Sequence, residues 1–336
     1  MNKFFFLFIL LLFSGVSFAG VSQKDCPNAD NTKNFGPVRD QDGIGYCWAF
    51  ATASLVEEDL CISKGKNCDH KPISPIDVSH CNFTLSDIGD QGASFEAGIN
   101  CVASDGVCYE EHAPIPDAKS LKCSLFDFLG KATECSVESL ISIYDSFMSE
   151  TKSLNICQKQ SPSVVNKSPF IDTVKILTKI LPDKAYSRNS FEEILIKYAQ
   201  KEKSKENLKN FISDILIPKK CKDNRIKIKT KPSGIGFKGY DSNKKISFLA
   251  ERLKSGRSLL IAACAYQHPD MKSIFNVLKS DQCGGHALIV NAMRWNAQKN
   301  KCEVHIRNSW GKNSKISGWS DVEDLAPATL GAIYYN

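Results

Sequence analysis

Beyond its first twenty residues the 336-residue chain has no apolar run of the roughly 20 residues needed to span a bilayer, no internal repeat and no low-complexity tract. It also lacks closely spaced cysteines. The nearest of its 14, Cys61 with Cys68 and Cys101 with Cys108, have six residues between them, where a structural zinc site wants two to four. Neither a metal centre nor a cofactor is therefore expected. A large excess of one charge is missing too, since 43 basic against 37 acidic residues leave +6. No concentrated basic stripe of the kind a nucleic-acid binder wants stands out. The lysine-rich KEKSKENLK (201–209) mixes both signs, as a solvated helix face does. This excludes a nucleic-acid partner, and no stable membrane anchor is expected.

What the chain does have begins with MNKFFFLFILLLFSGVSFAG: a basic Lys3, an apolar run from Phe4 to Phe13, and small Ser17 and Ala19 before a cut. This is the layout of a secretory signal peptide over 1–19. A lipid-anchored form is not expected, because Cys26 does not directly follow the cut. About 317 of the 336 residues then remain, enough for one large or two modest lobes with a substantial core. The mature chain is expected to be secreted or periplasmic, where cysteines form disulfides. The connectivity cannot be read from the sequence.

From Cys47, WAFATASLVEEDL is apolar with few breakers and predicts a largely buried helix with the cysteine on its first turn. GASFEAGINCV (92–102) suggests another helix. The block 124–224 is helical in character. VESLISIYDSFM (137–148) places Val137, Leu140, Ile141, Tyr144 and Met148 on one face, and FIDTVKILTKIL (170–181) is stopped by Pro182. In NSFEEILIKYAQ, Ser190 and Glu193 form a candidate capping box ahead of a stripe of Phe191, Ile194, Leu195 and Tyr198. After this block the period changes to two. RIKIKTK (225–231), SLLIAACAY (258–266), HALIVNAMRW (286–295) and KCEVHIRNSW (301–310) predict strands, with a helix at ISFLAERL (246–253). The expected order is a short N-terminal segment (20–35), a helical lobe (36–123), a helical insertion (124–224) and a β-rich, antiparallel or barrel-like lobe (225–336).

A cysteine opening a helix is placed for nucleophilic chemistry, because the unpaired N–H groups there favour the thiolate. It still needs an imidazole to exchange protons with, a group to orient that ring, and donors for a developing oxyanion. Of the six histidines, only His286 begins a strand directly after two glycines, in CGGHALIV. His70, His80 and His112 lie in polar, loop-like segments that read as solvated, and His268 sits beside Pro269 in another. His305 falls on the opposite strand face from Asn308.

QDGIGYCWAF, GGHALIVNA and IRNSWG, in this order, resemble the three signatures of the papain-like (cathepsin-like) cysteine peptidases. The resemblance covers about 36–123 and 235–336 and implies a two-lobed α+β fold, with the nucleophile on the helical lobe and His and Asn on the β-barrel-like lobe. It makes Cys47 the nucleophile, His286 its acid/base partner and Asn308 the group that orients the imidazole. Trp310 would cover the His–Asn hydrogen bond from water, and Gln41 would donate to the oxyanion beside the Cys47 N–H. Gly92, Gly285 and Trp310 are the implied substrate-binding positions. The implied reaction is peptide hydrolysis through an acyl-enzyme, with a protein or peptide substrate.

The chain departs from the family in several places. Ile44 stands where another cysteine is usual, Gln91–Gly92 replaces a glycine pair, and by analogy Cys81 would pair with Cys123. Only about 16 residues separate the signal cut from Phe35-Gly36-Pro37, where family zymogens carry a long inhibitory segment, so control is expected from elsewhere. The insertion could shield the cleft, recruit an inhibitor or regulatory partner, or simply decorate the surface. Two other readings stay open: an exported binding or scaffold protein on this fold, and an acyl-transfer amidase acting on cell-wall or cross-link peptides.

Overall fold

The computed structural model describes residues 21–41, 46–65, 68–80, 95–115, 137–157, 168–181, 188–265, 284–311 and 317–336. The signal segment, Ile44, Cys81, Gln91, Gly92, Cys123 and His268 lie outside them. The chain is a mixed helix-and-sheet protein, whose described residues before the middle block hold the α-helices α1 (Cys47–Lys64), α2 (Pro75–Ser79) and α3 (Phe95–Asp105). Alanines at 49, 51 and 53 favour α1 intrinsically and let neighbours approach it closely, so every residue from Cys47 to Asp59 is buried. That run includes three carboxylates, Glu57, Glu58 and Asp59, each held by a partner. Arg39 Nη2 lies 2.8 Å from Glu57, Ser258 N–H donates to Glu58 at 3.0 Å, and Arg257 Nη1 donates to Asp59 at 3.0 Å.

The middle block supplies α4 (Val137–Cys157), α5 (Ser168–Ile180), α6 (Arg188–Ala199), α7 (Lys205–Leu216) and α8 (Lys219–Asp223). Leu140, Tyr144 and Met148 are buried as their spacing predicts, with Ile141 only partly so. Tyr144 and Tyr198 both pack against Phe211, at centroid distances of 5.0 and 5.3 Å. This core is continuous with that of α1 through Ile217, Cys221 and Cys108, so the block is welded to the preceding helices rather than hung from them. The Cys108–Cys221 disulfide and the Val107–Ile226 bridge make the seam.

The last third forms an antiparallel sheet: β2 (Pro232–Gly236), β3 (Leu259–Ala265), β4 (Gly284–Asn296), β5 (Lys301–Arg307), β6 (Gly318–Asp321) and β7 (Thr329–Tyr335), in the order β2-β7-β3-β4-β5-β6. The short β1 (Ala29–Asp30) joins β4. Helices α9 (Ser242–Lys254) and α10 (Val322–Ala328) close a second core around Leu249, Ile261, Val290, Val304 and Leu325.

Three local expectations are corrected. RIKIKTK is not a sheet strand: Ile226 bridges to Val107, Ile228 is buried, and Arg225 reaches Asp77, so its contacts run to the helical part and the next sheet strand begins only at Pro232. Ser190 does not cap a helix, because α6 starts at Arg188 and places Ser190 on its first turn. Nor is His80 solvated. It is pinned against α2, where its ring lies 3.1 Å from Arg225 Nη2, and burial lowers its pKa. Disulfides Cys26–Cys302, Cys61–Cys68 and Cys108–Cys221 are formed, and Cys101 and Cys264 are half-cystines too. Among the described residues Cys47 alone is a free thiol. No described helix is long and apolar enough to cross a membrane.

Candidate active site

Cys47 is the first residue of α1, 8% exposed, where the helix packs across β4. Its sulfur accepts from the Ala287 backbone N–H, and Ala287 directly follows His286 on β4. Cys47 and the strand that bears His286 thus meet within one core, which contains both Cys47 and Ala287. The imidazole is held from behind, with His286 Nε2 at 2.8 Å from Asn308 Oδ1. The same oxygen accepts the Ser309 N–H at 2.8 Å. A backbone N–H can donate only to the amide oxygen, so this contact fixes the Asn308 orientation and makes His286 Nε2 the protonated nitrogen. Nδ1 is left for proton exchange. Trp310 packs its ring on His286 at 4.6 Å between centroids, and Asn308 is 2% exposed, so this hydrogen bond is dry.

The expected effect of the helix start on Cys47 is reversed. The N–H groups of Cys47, Trp48 and Ala287 do pull the thiol down, but burial is the larger influence and raises it above its ordinary value. Burial likewise lowers His286, against the opposing hydrogen bond from Asn308. Neither group favours its ion when taken alone.

Gln41 reaches the same place by a separate route. Residues 39–41 pair with 309–311: Gln41 N–H donates to Ser309 O at 2.6 Å, Asp40 bridges Trp310, and Gly311 N–H donates to Arg39 O at 3.2 Å. Gly311 has φ +76, and a Cβ there would lie 2.7 Å from Asp40 Oδ2, so only glycine fits this crossing. The Gln41 side-chain oxygen accepts the Ser309 hydroxyl, which turns the amide nitrogen away from Ser309. Below, Arg307 donates to Gly36 O at 2.9 Å and Pro37 O at 2.6 Å, and Arg39 joins Glu57. These charges lace the segment before the nucleophile onto the strand that leads to Asn308.

Of the substrate-binding positions, Gly285 is exposed, with open space where a Cβ would stand, and Trp310 is half-buried against His286. Ser309 and Ala287 were not singled out in the sequence, although both sit inside quoted motifs. Their contributions are mainly backbone N–H groups, which side-chain identity does not advertise.

The family model for papain family cysteine proteases matches residues 23–170, a span that contains Gln41 and Cys47 but ends before His286. A cathepsin L-like proteinase of Phaedon cochleariae is 32% identical over 92 residues, and the chain spans 27% of that relative's length, using 27% of its own. Xylellain, a cysteine protease from Xylella fastidiosa, shares the fold with a TM-score of 0.50 at 16% identity, over 93% of this chain and 86% of that one. Residues 23–170 are thus similar to the papain family of cysteine proteases, and the fold of the chain is similar to that of xylellain.

Proposed function

We propose that the chain is an exported cysteine peptidase that hydrolyses peptide bonds through a thioester acyl-enzyme. The observation that carries this is the one free thiol among the described residues, whose sulfur accepts the N–H of Ala287, next in sequence to a histidine whose Nε2 is held by a buried asparagine. Cys47 attacks the scissile carbonyl carbon while its proton passes to His286 Nδ1. Because burial disfavours either ion alone, charge separates only as a pair of opposite signs at close range. The tetrahedral oxyanion is held by the Cys47 N–H and the Gln41 amide. His286 then protonates the leaving amine, the carbon–nitrogen bond breaks, and a water deprotonated by His286 releases the acyl group. Asn308 keeps Nε2 protonated throughout, and Trp310 keeps water from that bond. The open space at Gly285 leaves room for substrate backbone beside the ring. Several disulfides support export to an oxidising compartment, with the signal segment as its means.

The test treats reduced protein with a thiol-reactive epoxide, locates the adduct by mass, and assays wild type and Cys47→Ala on casein and on cell-wall peptides. A single adduct at Cys47 and casein cleavage lost in Cys47→Ala are expected. Adduct formation without turnover of either substrate would favour a binding protein on this fold, and turnover of cell-wall peptides alone an amidase.

A further inference from the structure

The net charge of the chain has one address. KKCKDNRIKIKTK, residues 219–231, holds seven basic residues and one acidic, a surplus equal to the +6 of the whole sequence, so that everything outside it is neutral. The expectation of a chain without a concentrated basic stretch is thereby corrected. All six lysines of this stretch are exposed. Lys222 is engaged with Asp214 at 2.6 Å, Lys227 with Ser104 O at 2.5 Å, and Arg225 with Asp77 at 2.5 Å. Lys219, Lys220, Lys229 and Lys231 have no ion-pair partner among the described residues.

The band is compact and held in place. Cys221 is bonded to Cys108, with Cα atoms 5.4 Å apart, and Ile226 bridges to the adjoining Val107. Buried Cys221 and Ile228 turn their exposed lysine neighbours outward. These cations therefore lie along one 13-residue stretch whose backbone is anchored at the seam between the middle helices and α3.

We propose that this band is a peripheral docking surface for an anionic phospholipid headgroup layer, held by charge alone. Its free cations are lysines. Arginine forks read single carboxylates or phosphates bidentately, whereas lysines act as point charges suited to a diffuse anionic plane. No aromatic residue lies within 219–231 to stack a base, which the binding of single-stranded nucleic acid would want. With so much of the net charge concentrated in one stretch, the field of the molecule favours turning that stretch toward an anionic plane. With no spanning helix among the described residues, attachment is reversible and salt-sensitive, and it is independent of the Cys47 chemistry.

The purified chain is mixed with vesicles of phosphatidylcholine alone and of phosphatidylcholine with phosphatidylglycerol, then sedimented. Binding to the anionic vesicles only is expected, and it should vanish at 1 M salt, where the screening length falls to about 3 Å. Each lysine near such a surface multiplies partitioning by roughly 5. Lys219→Gln, Lys220→Gln, Lys229→Gln and Lys231→Gln combined should therefore lower it on the order of 10²-fold or more, with an unchanged thermal midpoint and unchanged epoxide labelling of Cys47. Equal partitioning of variant and wild type, or none onto anionic vesicles, overturns the proposal. So does binding of a glutamate-rich peptide or duplex DNA by a chain that ignores the vesicles, which would assign the band to another polyanion.

Discussion

Replacing Glu58 by glutamine should flatten the decline in stability that the wild-type chain suffers between mildly acid and neutral pH. Glu58 lies on α1, 2% exposed, three turns beyond Cys47. Both its oxygens lie 3.0 Å from Ser258 N, and Oε1 lies 2.5 Å from Ser258 Oγ. Burial nevertheless dominates and raises its pKa from 4.5 to about 7. In the window between those values the unfolded chain has released this proton and the folded chain keeps it. The folded state thus binds more protons, and stability falls as pH rises. At 1.36 kcal/mol per pKa unit the full loss is about 3 kcal/mol. For the about 317 residues left after the signal, at roughly 2.1 cal/mol/K each, that corresponds to about 5 °C in midpoint. The neutral amide of Glu58→Gln carries no such cost. Thermal midpoints of both proteins, disulfides intact, are to be measured across pH 4.5–8. The wild-type minus variant difference should fall through this window, because Glu57, also raised by burial, and Asp214, which is lowered, act on both proteins alike. Parallel curves, or a wild type that gains on the variant as pH rises, would refute the reasoning. The latter would make the carboxylate the favoured buried form.

Gln41→Ala should lower kcat by about 10² to 10³, the usual consequence of removing one oxyanion donor. KM should be nearly unchanged, and steady-state assays on a peptide substrate read both. In His286→Ala the Cys47 thiol is left with its burial and three N–H donors. Its alkylation rate should then rise with pH at a midpoint above the ordinary value of about 8.5, whereas a midpoint below it would mean that the donors alone stabilise the thiolate. Arg225→Met removes the guanidinium from the fully buried Asp77, whose carboxylate keeps the Cys108 N–H at 2.8 Å and the His80 ring at 3.5 Å. A loss of about 3–5 kcal/mol is expected in denaturant unfolding, as for other broken buried pairs.

Much of the architecture was readable because it rests on short-range pattern. The Ala-rich apolar run after Cys47, the alternation in HALIVNAMRW and the stripe of Leu140, Tyr144 and Met148 each announce an element whose buried face is set by its own period. The misreadings came where a segment's partners lie far away in sequence. RIKIKTK alternates like a strand, yet its hydrogen bonds and ion pair go to Val107 and Asp77 on the other side of the middle helices. His80 sits in a polar stretch, yet Arg225, 145 residues away, folds over it.

At the site, local sequence determined which groups are present: a cysteine opening a helix, a histidine beginning a strand, and an Asn-Ser-Trp-Gly corner after another. Side-chain identity and its immediate neighbours carry that much of the chemistry. Tertiary structure alone decided what state those groups are in. Burial raises Cys47 and lowers His286, reversing what a helix start alone would do to the thiol. The Ser309 N–H fixes which way Asn308 faces, and hence which histidine nitrogen carries the proton. Desolvation and hydrogen-bond direction depend on atoms brought together from distant parts of the chain, and no local window of sequence contains them.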